Sequence, residues 1–457
     1  MKFTTESRFY RTVLAIAVPI ALQNLITFST SMMDTLMLGR ADDTGVLLSA
    51  SSLANQPFFI LSMVCFGLSG AATVLSAQYW GKKNLDAIRT IFSMILRVAA
   101  LFSIGFAATV LLAPEWVMGL YSDQPEVIAR GADYLRIIGW AYLLYGMSNT
   151  MICCLRCVEA VKISVVVNIL SFFTNVSLNW VLIFGNLGAP ALGIRGAAIA
   201  TFIARLVEFS VTFWYTFRME RRLAFRVRHL LWWNRKLGVD LLRFGSPVFV
   251  NETMWSLAIT LQAAILGHIS YSVGDPVAAN SIASMIQQMA TVAIFGLANA
   301  AAVLVGKSIG EGKKEQAVQN ARTFTVLGAV MGVLSLALIL LIRRPVVEFY
   351  DIPAATKELA YDMLGVISIV TFFVSMATIF IVGVLRGAGD TRFCLSLEMT
   401  CLWLVALPAA YAGAYLWEIP VVGVLALMKV DELLKTFCCL FRLKTGRWIK
   451  QVTREEL

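Results

Sequence analysis

Apolar residues run along this chain in long blocks broken by short polar stretches. The blocks lie at about 13–39, 47–77, 91–113, 131–155, 163–186 and 191–216, and again at about 244–267, 277–306, 321–342, 359–385, 393–417 and 420–441. A helix of about 20 apolar residues crosses a bilayer. Helices also satisfy their own backbone hydrogen bonds, which lipid cannot do for them. The pattern therefore predicts an all-α polytopic membrane protein with twelve transmembrane helices. The blocks longer than about 25 residues must tilt, kink or project beyond the lipid.

Composition agrees. Hydrophobic residues make up 59% of the 457 positions and charged residues only 14%, where a soluble domain carries about 25% charged. Mean hydropathy is +0.76. A soluble enzyme, a disordered chain and a disulfide scaffold are all excluded. The net charge of +10 would suit nucleic acid, but Lys and Arg collect in the polar connections, as they do on the cytoplasmic side of membrane proteins. The expected partner is a lipid bilayer, with no nucleic acid. Two histidines, His229 and His268, are too few for a histidine metal site. The cysteines at 153, 154 and 157 lack a second Cys/His half, so no zinc site is expected. The first apolar block carries polar residues past signal-peptide length, so no cleavable leader is expected.

The longest polar break, 218–243, follows the sixth block. If it is cytoplasmic, an even number of spans on each side puts both termini there too. Counting Lys and Arg tests this: 27 fall on that side, seven on the other, and four (Arg97, Arg205, Lys429, Lys435) inside spans. The asymmetry predicts cytoplasmic termini. Three regions follow: an N-terminal six-helix lobe over 1–217, a cytoplasmic linker over 218–243, and a C-terminal six-helix lobe with a short tail over 244–457.

The halves echo one another. Val18-Pro19 and Leu38-Gly39 return as Ser246-Pro247 and Leu266-Gly267 at an offset of 228. Ala71–Leu75 with Gly81 returns as Ala300–Leu304 with Gly310 at 229, and Leu155-Arg156 as Leu385-Arg386 at 230. Six spans per half is an even number, so the repeat is parallel, about an axis along the membrane normal. Repeats of this kind build transporters with a site between the halves.

Ionisable and amide groups inside the spans are the functional candidates, because each costs at least about 2.5 kcal/mol at membrane depth. Gln23, Thr27, Thr30 or Ser31, and Asp34 follow one another at helical spacing and line one face of span 1. Glu252 stands five residues after Pro247, where a bend frees backbone carbonyls. It is read either as a site carboxylate or as a structural partner for a cation such as Arg243. Asn168, Asn175 and Asn179 share a face of span 5 and suit either a hard cation or helix–helix hydrogen bonding. Arg205 with Glu208, and Lys435 with Asp431, are spaced for local ion pairs. Gly306-Lys307-Ser308 resembles the end of a phosphate loop but lacks its earlier glycine, position 301 being Ala. With no nucleophile–base pair at depth, the chain is not expected to be an enzyme.

Several stretches recur together. They are Pro19 with Gln23-Asn24; Met33–Gly39; Gln78–Lys83; Asn175–Asn179 running to Gly185; Gly193–Ala198; Gly245–Pro247 with Glu252; and Leu385–Thr391. In this order on twelve spans, the chain resembles the multidrug and toxic compound extrusion (MATE) family over nearly its full length. The resemblance implies a secondary active antiporter that exports organic cations in exchange for H⁺ or Na⁺, working as a monomer in the plasma membrane with no cofactor beyond the coupling ion. It assigns ion and substrate binding to Asp34, Asn175 and Asn179 in the first lobe, Glu252 in the second, and Thr201 as a further first-lobe position. Two positions depart from the pattern. Asn179 is an amide where some members carry an acid, and Ser375 stands where members with a second-lobe sodium site often carry Asp. The alternative within the superfamily is a flippase for a lipid-linked saccharide. It would need cleft cations for a pyrophosphate, and the in-span cations Arg205, Lys429 and Lys435 each have an acidic neighbour at helical spacing.

Overall fold

The computed structural model describes residues 7–41, 46–269, 274–350 and 352–454, and every regular element among them is helical. Apart from short helical turns such as Pro114–Gly119 and Val227–Leu231, the helices coincide with the twelve apolar blocks. In order they are Ser7–Ala41, Val46–Gly81, Leu85–Leu112, Pro125–Cys157, Lys162–Phe184, Ile194–Met219, Arg235–Gly267, Pro276–Gly310, Lys314–Glu348, Ala354–Leu385, Thr391–Tyr415, and Val421–Met428 continued by Val430–Lys444. Ten are long and apolar enough to cross a membrane on those grounds alone. The other two are spans 7 and 12. Span 7 carries Asp240, Arg243, Asn251 and Glu252, and span 12 is interrupted at Lys429 and then carries Asp431, Glu432 and Lys435. Of the charged residues in these two spans, Glu252 is the functional candidate.

Burial is inverted relative to a soluble protein. Asn175, Asn179, Glu208, Glu252, Arg386, Asp390 and Lys435 are buried. Leu101, Phe173, Leu341, Leu404 and Phe441 stand well exposed. Large apolar surfaces are a liability in water but are what hydrocarbon requires. The chain is a multi-pass membrane protein.

Two compact units form. One holds Leu22–Ala72 and Leu85–Val239, the other Met1–Ala21, Thr73–Asn84 and Asp240–Leu457. The first is cored by Leu38, Cys65, Tyr134, Tyr142, Ile183 and Ala198. The second has a core of Leu266, Ile282, Met363, Ala410 and Val424. Spans 1 and 2 each pass from one unit to the other, at Ala21–Leu22 and at Ala72–Thr73.

Within the second unit the end of span 2 crosses the end of span 8. A Cβ added to Gly81 would run into the carbonyl of Lys307, and one added to Gly310 into the carbonyl of Gln78. Only glycine allows backbones so close. The C-terminal tail covers this crossing. Gln78, fully buried, donates to the Lys450 carbonyl at 3.0 Å and accepts from the Val452 amide at 2.9 Å. Arg454 holds Asp240 through two bonds of 2.6 and 2.8 Å. Asp390 is met by Arg442 at 2.9 Å and by Lys450.

The linker plays a matching part in the first unit. Arg222 bonds the carbonyls of Val158 and Glu159 at 3.1 and 2.8 Å, and Arg97 reaches the Trp232 carbonyl at 2.6 Å. His229 is buried in this linker, with Nδ1 accepting the Arg226 amide at 2.9 Å. Burial first, then the charges of Arg89 and Arg228, hold its imidazole below the usual histidine range. Folded His229 therefore takes up its proton at a lower pH than the unfolded residue, which protonates near its ordinary value of about 6.5. Stability is complete above that value and is lost as pH falls through it, because the unfolded chain then takes up a proton the folded one refuses. Between about pH 7.5 and 5.5, the melting temperature should fall less in His229→Gln than in the wild type. Parallel melting curves across that range would remove this role for His229.

Candidate functional site

The residues of the first unit converge across three helices. Asp34 on span 1 accepts a 2.5 Å hydrogen bond from Asn179 on span 5. The same amide donates to Asn175 Oδ1, one turn earlier, at 3.0 Å. Asn175 in turn donates to Thr201 Oγ1 on span 6 at 3.2 Å. The row Asp34–Asn179–Asn175–Thr201 thus holds four of the five residues to which the resemblance assigns binding. Asn175 and Asn179 are 1% and 0% exposed, so their amides must find partners inside the protein. One oxygen does not: Asn179 Oδ1 is buried with nothing bonded to it. A carboxylate, two amide oxygens and a hydroxyl form a donor set suited to a hard cation, or to a proton on Asp34.

Nearby charges are settled. Arg205 and Glu208 pair at 2.6 Å, as their spacing predicted, and Ser148 donates to Glu208 at 2.9 Å. The Arg205 guanidinium stacks 5.1 Å from the Tyr145 ring and 5.5 Å from Phe58. Asn168, although on the same helix face as Asn175, donates to the Ser164 carbonyl of its own helix at 2.7 Å. We predict that Asn175→Ala weakens ion-driven transport several-fold more than Asn168→Ala. Equal flux from the two variants would mean that Asn175 only joins helices.

Gln23 lies apart from this row. Its side-chain oxygen accepts from Arg156 at 2.8 Å. Arg156 ends span 4, and its repeat counterpart Arg386 ends span 10. Arg386 lies 2.5 Å from Glu252, with both residues buried at 5% and 7% exposed. The partner weighed for Glu252 in the sequence, Arg243, instead stacks over Phe244 at 5.6 Å. The positive-inside count places Arg386 among the loop cations, because nothing local distinguishes it from them. The available signal was the repeat: each half places an arginine after the same leucine, and each arginine reaches the first helix of its own half. Both guanidinium Nε atoms remain buried without a partner.

The remaining in-span groups are engaged elsewhere. Ser375 donates to the Gly328 carbonyl at 2.8 Å, and Gln287 donates to Thr371 at 3.2 Å. Lys435 pairs with Asp431 as predicted, at 2.6 Å, and with Glu398 at the same distance.

A polytopic helical protein with a carboxylate–amide row across its spans belongs among membrane proteins that handle small polar or cationic species. Comparison with known families narrows this. The MatE family model matches residues 19–181 and 247–412, and the chain belongs to that family. It is 24% identical to a probable multidrug resistance protein NorM of Thermotoga maritima, over 97% of this chain and 94% of that one. Its fold is similar to that of a MOP superfamily transporter from Pyrococcus furiosus, with TM-score 0.85, 16% identity, and coverage of 98% of this chain and 100% of the other. It is also similar to the MATE transporter VcmN of Vibrio cholerae, with TM-score 0.86, 15% identity and 98% of each chain covered.

Proposed function

We propose that this chain is a secondary active antiporter that exports organic cations in exchange for H⁺ or Na⁺. The observation that carries the reading is the place of Asp34. An acid inside a span is costly, and this one is held by amides contributed from another helix, with an unpartnered oxygen beside it. Cation and coupling ion would compete for that one charge, which is how an antiporter avoids carrying both together. Asn175, Asn179 and Thr201 would shape the pocket, and Gln23 would fix span 1 through Arg156. The names of the relatives, multidrug resistance proteins, support a broad range of substrates.

In this reading the lobes 1–217 and 244–457 rock about the site in alternating access. The protein acts as a monomer in the plasma membrane with both termini cytoplasmic. Glu252 contributes only when Arg386 releases it. A flippase for lipid-linked saccharides is disfavoured because Arg205, Arg386 and Lys435 are each neutralised by carboxylates. The test is flux of cationic dyes into proteoliposomes under an imposed pH or sodium gradient. If neither gradient drives any dye, the proposal fails.

A further inference from the structure

The linker after span 6 presents cations to its surroundings and no acid. Arg218, Arg221, Arg226, Arg228, Arg235 and Lys236 are all exposed. Glu220, the one acid of 218–239, is buried, and it accepts the backbone amides of Arg222, Leu223 and Ala224 at 2.6, 2.8 and 3.1 Å. Asp86, at the foot of span 3, is taken by Arg89 at 2.8 Å. Among the described residues no carboxylate comes within ion-pair reach of the six linker cations.

The same segment is anchored at membrane depth. Span 3 enters its apolar block at about residue 91, and its polar side chains there end on linker carbonyls. Arg89 donates to Leu223 at 2.8 Å, Ser93 lies 2.7 Å from the Leu230 oxygen and 3.0 Å from that of Trp232, and Arg97 donates to Trp232 at 2.6 Å. The Arg97 guanidinium also lies 5.5 Å from the Trp233 ring. Arg97 stands about 9 Å along the helix from the start of the block. Residues 230–233 therefore sit as deep as interfacial segments sink, about 5–10 Å. The apolar side chains of this stretch turn away from the protein: Leu231 is 82% exposed, Trp233 67%, and Val227 is exposed as well. Leu101 and Ile104 follow Arg97 on the same face of span 3 by helical spacing and are exposed too. The linker patch thus runs without a break into the lipid-facing surface of span 3.

We propose that residues 218–236 bind anionic phospholipids, with Leu231 and Trp233 inserted among the acyl chains and the six cations set against the headgroups. Cations that flank exposed Leu and Trp are the composition of a segment lying in the headgroup layer, and a negatively charged leaflet is the surface complementary to them. The tendency of Lys and Arg to collect on one side of a membrane accounts for the charge of such a loop. It does not account for the exposed apolar side chains between the cations, nor for their anchorage at Arg97. The proposal is independent of the antiport reading, because lipid contact is measured without transport.

The experiment uses the purified full chain in nanodiscs of equal parts phosphatidylcholine and phosphatidylglycerol, with brominated acyl chains on one lipid or on the other. Bromine quenches only the tryptophans it touches, and the bilayer composition is the same in both samples. Both leaflets of a nanodisc carry the same lipids, so the result does not depend on which side the linker faces. Wild-type quenching by labelled phosphatidylglycerol should exceed that by labelled phosphatidylcholine. The excess should shrink in Trp233→Phe, which removes the reporter. It should fall by about half or more in the combined variant Arg221→Gln, Arg235→Gln and Lys236→Gln, which removes three of the six cations. Salt should weaken it by screening. Equal quenching by the two labels overturns the proposal, as does an excess that the combined variant leaves unchanged. If Trp233→Phe loses no quenching by either label, that ring lies outside the lipid and the proposal falls equally. Should the combined variant not fold, the salt titration of the wild type decides, and an excess that survives high salt overturns the assignment.

Discussion

Asp34→Asn is expected to abolish most gradient-driven export while leaving the chain folded and inserted. The substitution preserves shape and keeps an oxygen where Asn179 donates its 2.5 Å bond, so the row to Asn175 and Thr201 has no reason to disperse. What disappears is the only charge in that row. An amide neither exchanges a proton near neutrality nor holds a monovalent cation against water as a carboxylate does. A transport loss on the order of tenfold or more corresponds to at least about 1.4 kcal/mol of lost coupling. The measurement is dye flux in proteoliposomes at matched protein density, with melting temperature as the control for folding. Flux at the wild-type rate would place the coupling charge elsewhere and sink the assignment of Asp34.

Glu252→Gln should behave differently, as a stability defect first. It strands the Arg386 guanidinium, 5% exposed, without its counter-charge. Removing one member of a buried pair costs about 3–5 kcal/mol, whereas replacing both members by apolar groups of similar volume is often near neutral. Arg386→Met in the Glu252→Gln background should therefore recover most of the lost melting temperature. Arg243→Gln should recover none, since Arg243 stacks on Phe244 rather than on Glu252. If Glu252→Gln melts like the wild type, the carboxylate is not committed to Arg386 and is free to meet ligands. Transport by the stable double variant then measures how far export depends on Glu252.

These two carboxylates show what the sequence made legible. All twelve spans could be read because lipid imposes one constraint along the whole chain, a long apolar helix, and that constraint is local. The shared face of Asn175 and Asn179 was equally readable, since residues four apart stack on a helix. That Asn179 meets Asp34 across 145 positions is a tertiary fact, and only the family resemblance grouped the two beforehand. Arg386 escaped because a positive-inside count treats every cation at a span end alike, whether it faces water or a buried acid. Glu398 escaped for a related reason: helical spacing pairs Lys435 with Asp431 and Glu432 but says nothing of a carboxylate arriving from the preceding span.

The crossing at Gly81 and Gly310 carries a further consequence. The two glycines stand one repeat apart, and each presses on the backbone residue that is the counterpart of the other's: Gly81 on Lys307, Gly310 on Gln78. This is the signature of an isologous contact, in which residue i meets j and j meets i, and closed two-fold homodimers are built from such contacts. A single half-length chain carrying this helix end would be complementary to a second copy of itself, with no new surface required. Fusion of two copies would convert that subunit interface into an internal one and free each copy to diverge. The C-terminal tail records the divergence, since it is threaded over one of the two equivalent helix ends through Gln78, a bond that two identical chains would have had to make twice.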